Sequence, residues 1–165
     1  MDDFYLNVIK AFNVSGVRYM VIGGFAVNFY GYNRSTGDLD LWVSNDESNL
    51  INLENAFDKM GYVFSEEAKN ELLQNNIVSF SEGNCTVELL TRINISKEIS
   101  FYEALEKAET RIIEETEIKV ISFQDLKNEK SRSKRYKDLD DLSKLEEAEA
   151  YYAKKLKEEA VTITK

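Results

Sequence analysis

Histidine and proline are absent from the 165 residues, and Cys85 is the only cysteine. Without histidine there is no imidazole base, no nucleophilic triad built on one and no histidine-rich zinc site. A lone thiol excludes an internal disulfide and with it the stapled scaffold of a small secreted protein. No apolar run approaches membrane-spanning length. The opening MDDFYLNVIKAFNV is acidic and amphipathic where a leader would be basic and then apolar, so the expected setting is cytoplasmic with no membrane partner. Carboxylates, lysine, arginine, tyrosine and the backbone are what remain for chemistry.

Cations are also in short supply, 21 against 30 acidic residues, for a formal charge of -9. That balance opposes non-specific association with nucleic acid, so a polynucleotide partner would need a local basic patch. A hydrophobic fraction of 43% with 12% aromatics suits one core. We expect one domain over 1–165 with a helical C-terminal extension at about 123–160.

Phe4, Tyr5, Val8, Ile9 and Phe12 recur at helical spacing up to about Ser15, and Gly16 ends the pattern. VRYMVI (17–22) reads as a buried strand running into Gly23-Gly24, and a short helix from Ala26 to Tyr30 follows. In the next strand, DLDLWV (38–43), alternation puts Asp38 and Asp40 on one face and Leu39, Leu41 and Val43 on the other. Asn45 to Met60 is amphipathic with Gly61 as its stop. IVSFSEGNCTVELLT (77–91) reads as two strands joined around Ser81 to Asn84, with Glu88 on a polar face. A helix around Phe101 to Ala108, a final strand EIKVIS (117–122) and a charged helical segment opened by Ser122 and Asp125 complete the pattern. The fold class is α+β: a small mixed sheet packed with helices in two layers, with a helical C-terminus.

Two aspartates one residue apart on a strand project oxygens from one face about 7 Å apart, close enough to share metal ions. Glu88 on a neighbouring strand would supply a third carboxylate to a hard cation. Glycines at a strand-to-helix turn let backbone N–H groups approach phosphates, which gives Gly23 and Gly24 a place in the same site. Arg34 and Thr36 are positioned to contact phosphate or to brace that turn.

The segment VIGGFAVNFYGYNRSTGDLDLWV resembles the signature of the nucleotidyltransferase superfamily, with its polymerase-beta-like fold. The pattern Gly23-Gly24 followed by Arg34-Ser35-Thr36-Gly37-Asp38-Leu39-Asp40 is similar to minimal bacterial nucleotidyltransferases and AbiEii-type toxins. VELLTRI (87–93) resembles the strand of the third carboxylate, with glutamate at 88 where aspartate is commoner. KSRSKRYKDLDDL (130–142) is similar to a downstream block, matched by Lys130, Arg135, Lys137, Asp138 and Asp141.

The resemblance implies a nucleotidyltransferase that uses Mg2+ (or Mn2+) and moves a nucleoside monophosphate from ATP, GTP or CTP to an acceptor hydroxyl. Asp38, Asp40 and Glu88 would be catalytic and metal-binding. Gly23, Gly24, Arg34, Thr36, Lys130, Arg135 and Lys137 would bind the nucleotide. The acceptor could be tRNA, a partner protein or a small molecule, and a cognate antitoxin or toxin is an implied partner. The alternative is a weakly active or inactive nucleotide-binding regulator. A third reading is a scaffold that binds partners through its Lys/Glu-rich C-terminal helix.

Overall fold

Asp2 accepts a hydrogen bond from the Phe4 backbone N–H at 2.9 Å and so opens helix α1, Asp3–Ser15, whose apolar stripe from Phe4 to Phe12 is buried. Gly16 closes it in the left-handed conformation, φ 71°, donating its N–H to the carbonyls of Asn13 and Phe12. The computed structural model describes residues 1–163, with side chains described through Tyr151 and again at Ala153 and Lys154. Strand β1, Tyr19–Val21, is buried at all three positions. It is shorter than the 17–22 expected, because the chain turns directly into α2, Gly23–Phe29, and the glycine pair forms that helix's first turn.

The remaining elements are β2 (Asp38–Val43), α3 (Glu47–Lys59), α4 (Glu66–Leu73), β3 (Val78–Glu82), β4 (Cys85–Leu90) and a 3-10 turn at Asn94–Lys97. Then come α5 (Phe101–Lys107), β5 (Glu109–Ile113), β6 (Thr116–Val120), α6 (Phe123–Arg132) and α7 (Tyr136–Ile163). All six strands form one sheet in the order β3-β4-β2-β1-β6-β5. The pairs β2–β4 and β1–β6 are parallel and the other three are antiparallel. The chain thus has the α+β architecture, a mixed sheet packed with helices, that its sequence pattern implies.

Three elements differ from the expectation. Strand β5 pairs with β6 across a turn at Glu114 and Glu115, both at positive φ of 47° and 64°. Neither residue type announces such a turn. Helix α4 is capped by Ser65, whose side chain accepts from the Ala68 N–H. The C-terminal helical segment is broken at residues 133–135, which separates α6 from α7. Ser133 makes the break by accepting the Arg135 N–H and donating to Asp138 at 2.6 Å.

Leu39, Leu41 and Val43 are fully buried from one face of β2. On the opposite face, after Asp38 and Asp40, Trp42 is only 1% exposed: its ring packs edge-on against Phe101 of α5, and its Nε1 donates to the Thr91 carbonyl. Each of these apolar side chains contributes about 1.5–3 kcal/mol through burial. The sheet is therefore covered on both sides at the end of β2, while the first half of β2 leaves its polar face open.

Candidate active site

The open half of β2 is held in place by hydrogen bonds from three directions. Tyr5 of α1 donates to the Gly37 carbonyl at 2.7 Å and accepts from the Thr86 N–H at 3.3 Å, tying the starts of β2 and β4 together. Asn28 of α2 exchanges two 3.0 Å bonds with the Arg34 backbone, which clamps the loop before β2. The Ile22 N–H donates to the Asp40 carbonyl at 3.0 Å and so sets the glycine turn beside that aspartate.

In the β2–β4 register Asp40 lies directly opposite Glu88, and Asp38 opposite Thr86. Two carboxylates thus meet on one face of neighbouring strands. Among the described residues, neither these two nor Asp38 accepts a hydrogen bond or forms an ion pair through its side chain. Burial, with Glu88 adding repulsion and Lys130 partly offsetting it, pushes the Asp40 carboxyl up to about 6. Gly23 belongs to the same site by contact. A Cβ there would lie 1.9 Å from Asp40 Oδ2, and its φ of 61° is left-handed.

Asp40, Glu88 and Gly23 line the partly buried inner part of a cleft of about 840 Å³ that Lys130 and Arg135 of the α6–α7 region also line. Lys130 is buried, its ammonium 2.6 Å from Asp138 and 2.8 Å from Asp141. Arg135 Nε lies 2.6 Å from Asp138 while most of its side chain stays exposed. Burial alone would raise Asp138, yet hydrogen bonds from Lys130, Ser133 and Arg135 hold its carboxyl down to about 2. Asp141 is fully buried, and Arg34 meets it through Nε at 2.8 Å and Nη2 at 3.1 Å.

The expected site residues therefore separate into three sets. Asp40, Glu88, Gly23, Lys130 and Arg135 line the cleft, with Asp38 on the same strand face as Asp40. Arg34 and Thr36 lie behind the glycine turn: a Cβ on Gly24 would come within 2.8 Å of Arg34 Nη2 and 2.5 Å of Thr36 Oγ1. They brace the turn, Arg34 through Asp141 and Thr36 through the Asp38 carbonyl at 3.4 Å. Lys137 is exposed on the first turn of α7 and is not among the residues lining the cleft. The cleft adds Arg92, Asn94 and Lys97, which sequence reasoning passed over. The available signal was their position directly after β4, at the end of the strand that carries Glu88.

Among the described residues no three carboxylate or thiol side chains converge into a closed cation cage. Magnesium does not require one, since it is commonly held by one or two carboxylates together with water and substrate phosphates. Asp40 and Glu88 are hard oxygen donors, adjacent and lacking hydrogen-bond or ion-pair partners, and they repel one another. A divalent cation would relieve that repulsion, so the donor set fits one.

Comparison with solved structures places the chain in the nucleotidyltransferase fold. A nucleotidyltransferase-like antigenic protein from Paracoccidioides brasiliensis superposes with a TM-score of 0.52 at 18% identity, over 88% of this chain and 77% of that one. The antibiotic-resistance factor ANT(2'')-Ia superposes with a TM-score of 0.53 at 13% identity, over 99% of both chains. In sequence, residues 2–164 match the family described as nucleotidyl transferase of unknown function (DUF2204), and the chain belongs to that family. No curated protein is a significant sequence match.

Proposed function

We propose that the chain acts as a single nucleotidyltransferase domain. It would transfer a nucleoside monophosphate from an NTP to an acceptor hydroxyl and release pyrophosphate, with Mg2+ or Mn2+ as cofactor. The observation that carries this is the in-register pairing of Asp40 with Glu88 in a cleft that Lys130 and Arg135 also line. Charges of both signs thus line one space of a size that suits a triphosphate.

Asp40 and Glu88, with Asp38 beside them on β2, would hold the divalent cation. When bound it neutralises phosphate charge and makes the acceptor hydroxyl more acidic. Gly23 lets the phosphates approach the backbone at the start of α2, where the N-cap residue Ile22 offers no side-chain acceptor to the first-turn N–H groups. Lys130 and Arg135 offset the charge that builds on the leaving pyrophosphate. The acceptor oxygen attacks the α-phosphorus and the bond to the bridging β-phosphate oxygen breaks. The hydroxyl proton passes to the Glu88 carboxylate and then to water.

Labelled NTPs, Mg2+ and a cell lysate provide the test. Wild-type protein should transfer label to an acceptor, and Asp40→Asn should abolish transfer while keeping a native circular dichroism spectrum. Equal labelling by Asp40→Asn, or no metal-dependent NTP binding by wild type in calorimetry, would refute the assignment.

A further inference from the structure

The side chains lining the cleft do not balance evenly along its depth. Lys130 and Arg135 pair with Asp138, and Arg132 pairs with Glu98 at 2.9 Å. Glu129 is occupied by the 3-10 turn: its carboxylate accepts the backbone N–H groups of Asn94 and Ile95 and the Asn94 amide. After these pairs are removed, the exposed mouth holds Arg92, Lys97 and Lys134, none of them in an ion pair among the described residues. The partly buried inner end holds Asp40 and Glu88. A chain with a formal charge of -9 therefore concentrates three uncommitted cations at the entrance to its own candidate active site.

The inner cations already serve the nucleotide. Lys130 and Arg135 are paired with Asp138, and the proposed transfer assigns them to the leaving pyrophosphate. The volume of about 840 Å³ is near the upper end of small-molecule sites, about 300–1,000 Å³, and leaves space beside a nucleotide. A neutral hydroxyl on a protein or sugar gives three exposed cations nothing to bind. A polycation would be repelled by them. An acceptor that brings its own phosphates would satisfy all three while its terminal hydroxyl reaches inward to Asp40 and Glu88.

Resting on the nucleotidyltransferase assignment above, we propose that Arg92, Lys97 and Lys134 form an acceptor subsite for the phosphates of a single-stranded polynucleotide whose terminal hydroxyl is the group modified. The three residues come from three separate segments, the loop after β4, the 3-10 turn and the α6–α7 link, and all three line the cleft. That arrangement suits a flexible single strand entering end-on better than a rigid duplex.

The test is fluorescence anisotropy with a 5′-labelled RNA of eight nucleotides, in EDTA, on full-length wild type and on the triple variant Arg92→Ala/Lys97→Ala/Lys134→Ala. Wild type should bind with neither metal nor NTP present, because the three cations contact the strand's phosphates and not the metal site, which keeps this result separate from the fate of the transferase assignment. Affinity should fall with salt, and the triple variant should bind at least tenfold more weakly with a log–log salt slope shallower by about 2, as expected for three single-strand phosphate contacts. Calorimetry with an NTP and Mg2+ should give the triple variant wild-type affinity, and the charge-keeping variant Arg92→Lys/Lys97→Arg/Lys134→Arg should restore RNA binding. Unchanged RNA affinity in the triple variant would overturn the proposal. So would an equal loss of NTP affinity, which would assign the cations to the triphosphate, and so would competition by a mononucleotide as effective as the octamer.

Discussion

Replacing Gly23 by alanine adds one methyl group where the structure leaves no room for it. The new Cβ would stand 1.9 Å from Asp40 Oδ2, 2.7 Å from its Cγ and 3.1 Å from its Cβ. Restoring ordinary contact requires the carboxylate oxygen to move by about 1.5 Å. A displacement of that order in a reacting group costs about a hundredfold in rate. The backbone at φ 61° adds about 1–2 kcal/mol for a residue with a Cβ, which lowers Tm by about 2–8 °C for a chain of this size. The expected outcome is therefore a folded protein with modestly reduced Tm whose Mg2+-dependent binding of a non-hydrolysable NTP analogue, and whose transfer activity, fall by about two orders of magnitude. Calorimetry and thermal melts on one preparation separate the two effects. Wild-type metal-dependent binding in Gly23→Ala would show that the contact between the turn and Asp40 does not define the site.

Asp138→Asn breaks a buried pair and should destabilise the protein by about 3–5 kcal/mol at pH 7. The Asp138 pKa is lowered to about 2 in the fold, so its contribution is present above the unfolded value near 4 and is lost as pH falls through about 2. The stability gap between variant and wild type should therefore narrow by about 2 kcal/mol between pH 4 and pH 2, measured by urea unfolding, and a gap independent of pH would contradict the pairing. Lys137→Ala should leave NTP affinity within about twofold and stability within about 0.5 kcal/mol, as for an exposed position outside the cleft. A tenfold loss of affinity would place Lys137 on the nucleotide after all.

The sequence made the inner end of the cleft legible because strand alternation and chain order are local signals. Asp38, Asp40 and Glu88 could be placed on polar faces before β2 and β4 were known to be parallel neighbours. The paired register, Asp40 against Glu88, is a tertiary fact that no spacing records. Trp42 shows the limit of alternation, since it shares the face of the aspartates yet is buried under α5. Strand β5 escaped notice because its turn is made by two glutamates at positive φ where glycine or asparagine would have signalled it. The break between α6 and α7 is hidden in a uniform charge run, because the serine that makes it acts through Asp138, five residues further on. The residue types of Arg34 and Lys137 were equally compatible with phosphate; only packing sends one behind the glycine turn and the other to solvent.

The ion pair of Arg34 with Asp141 spans 107 positions of the chain. It joins the loop before the aspartate strand to helix α7, and Lys130 is tied to that helix as well. A nascent chain can form the earlier strands while the ribosome is still translating. It cannot brace the glycine turn or fix the lysine until Asp141 has emerged, so a chain stopped anywhere before position 141 would carry the carboxylates of the cleft without the brace that holds them in place.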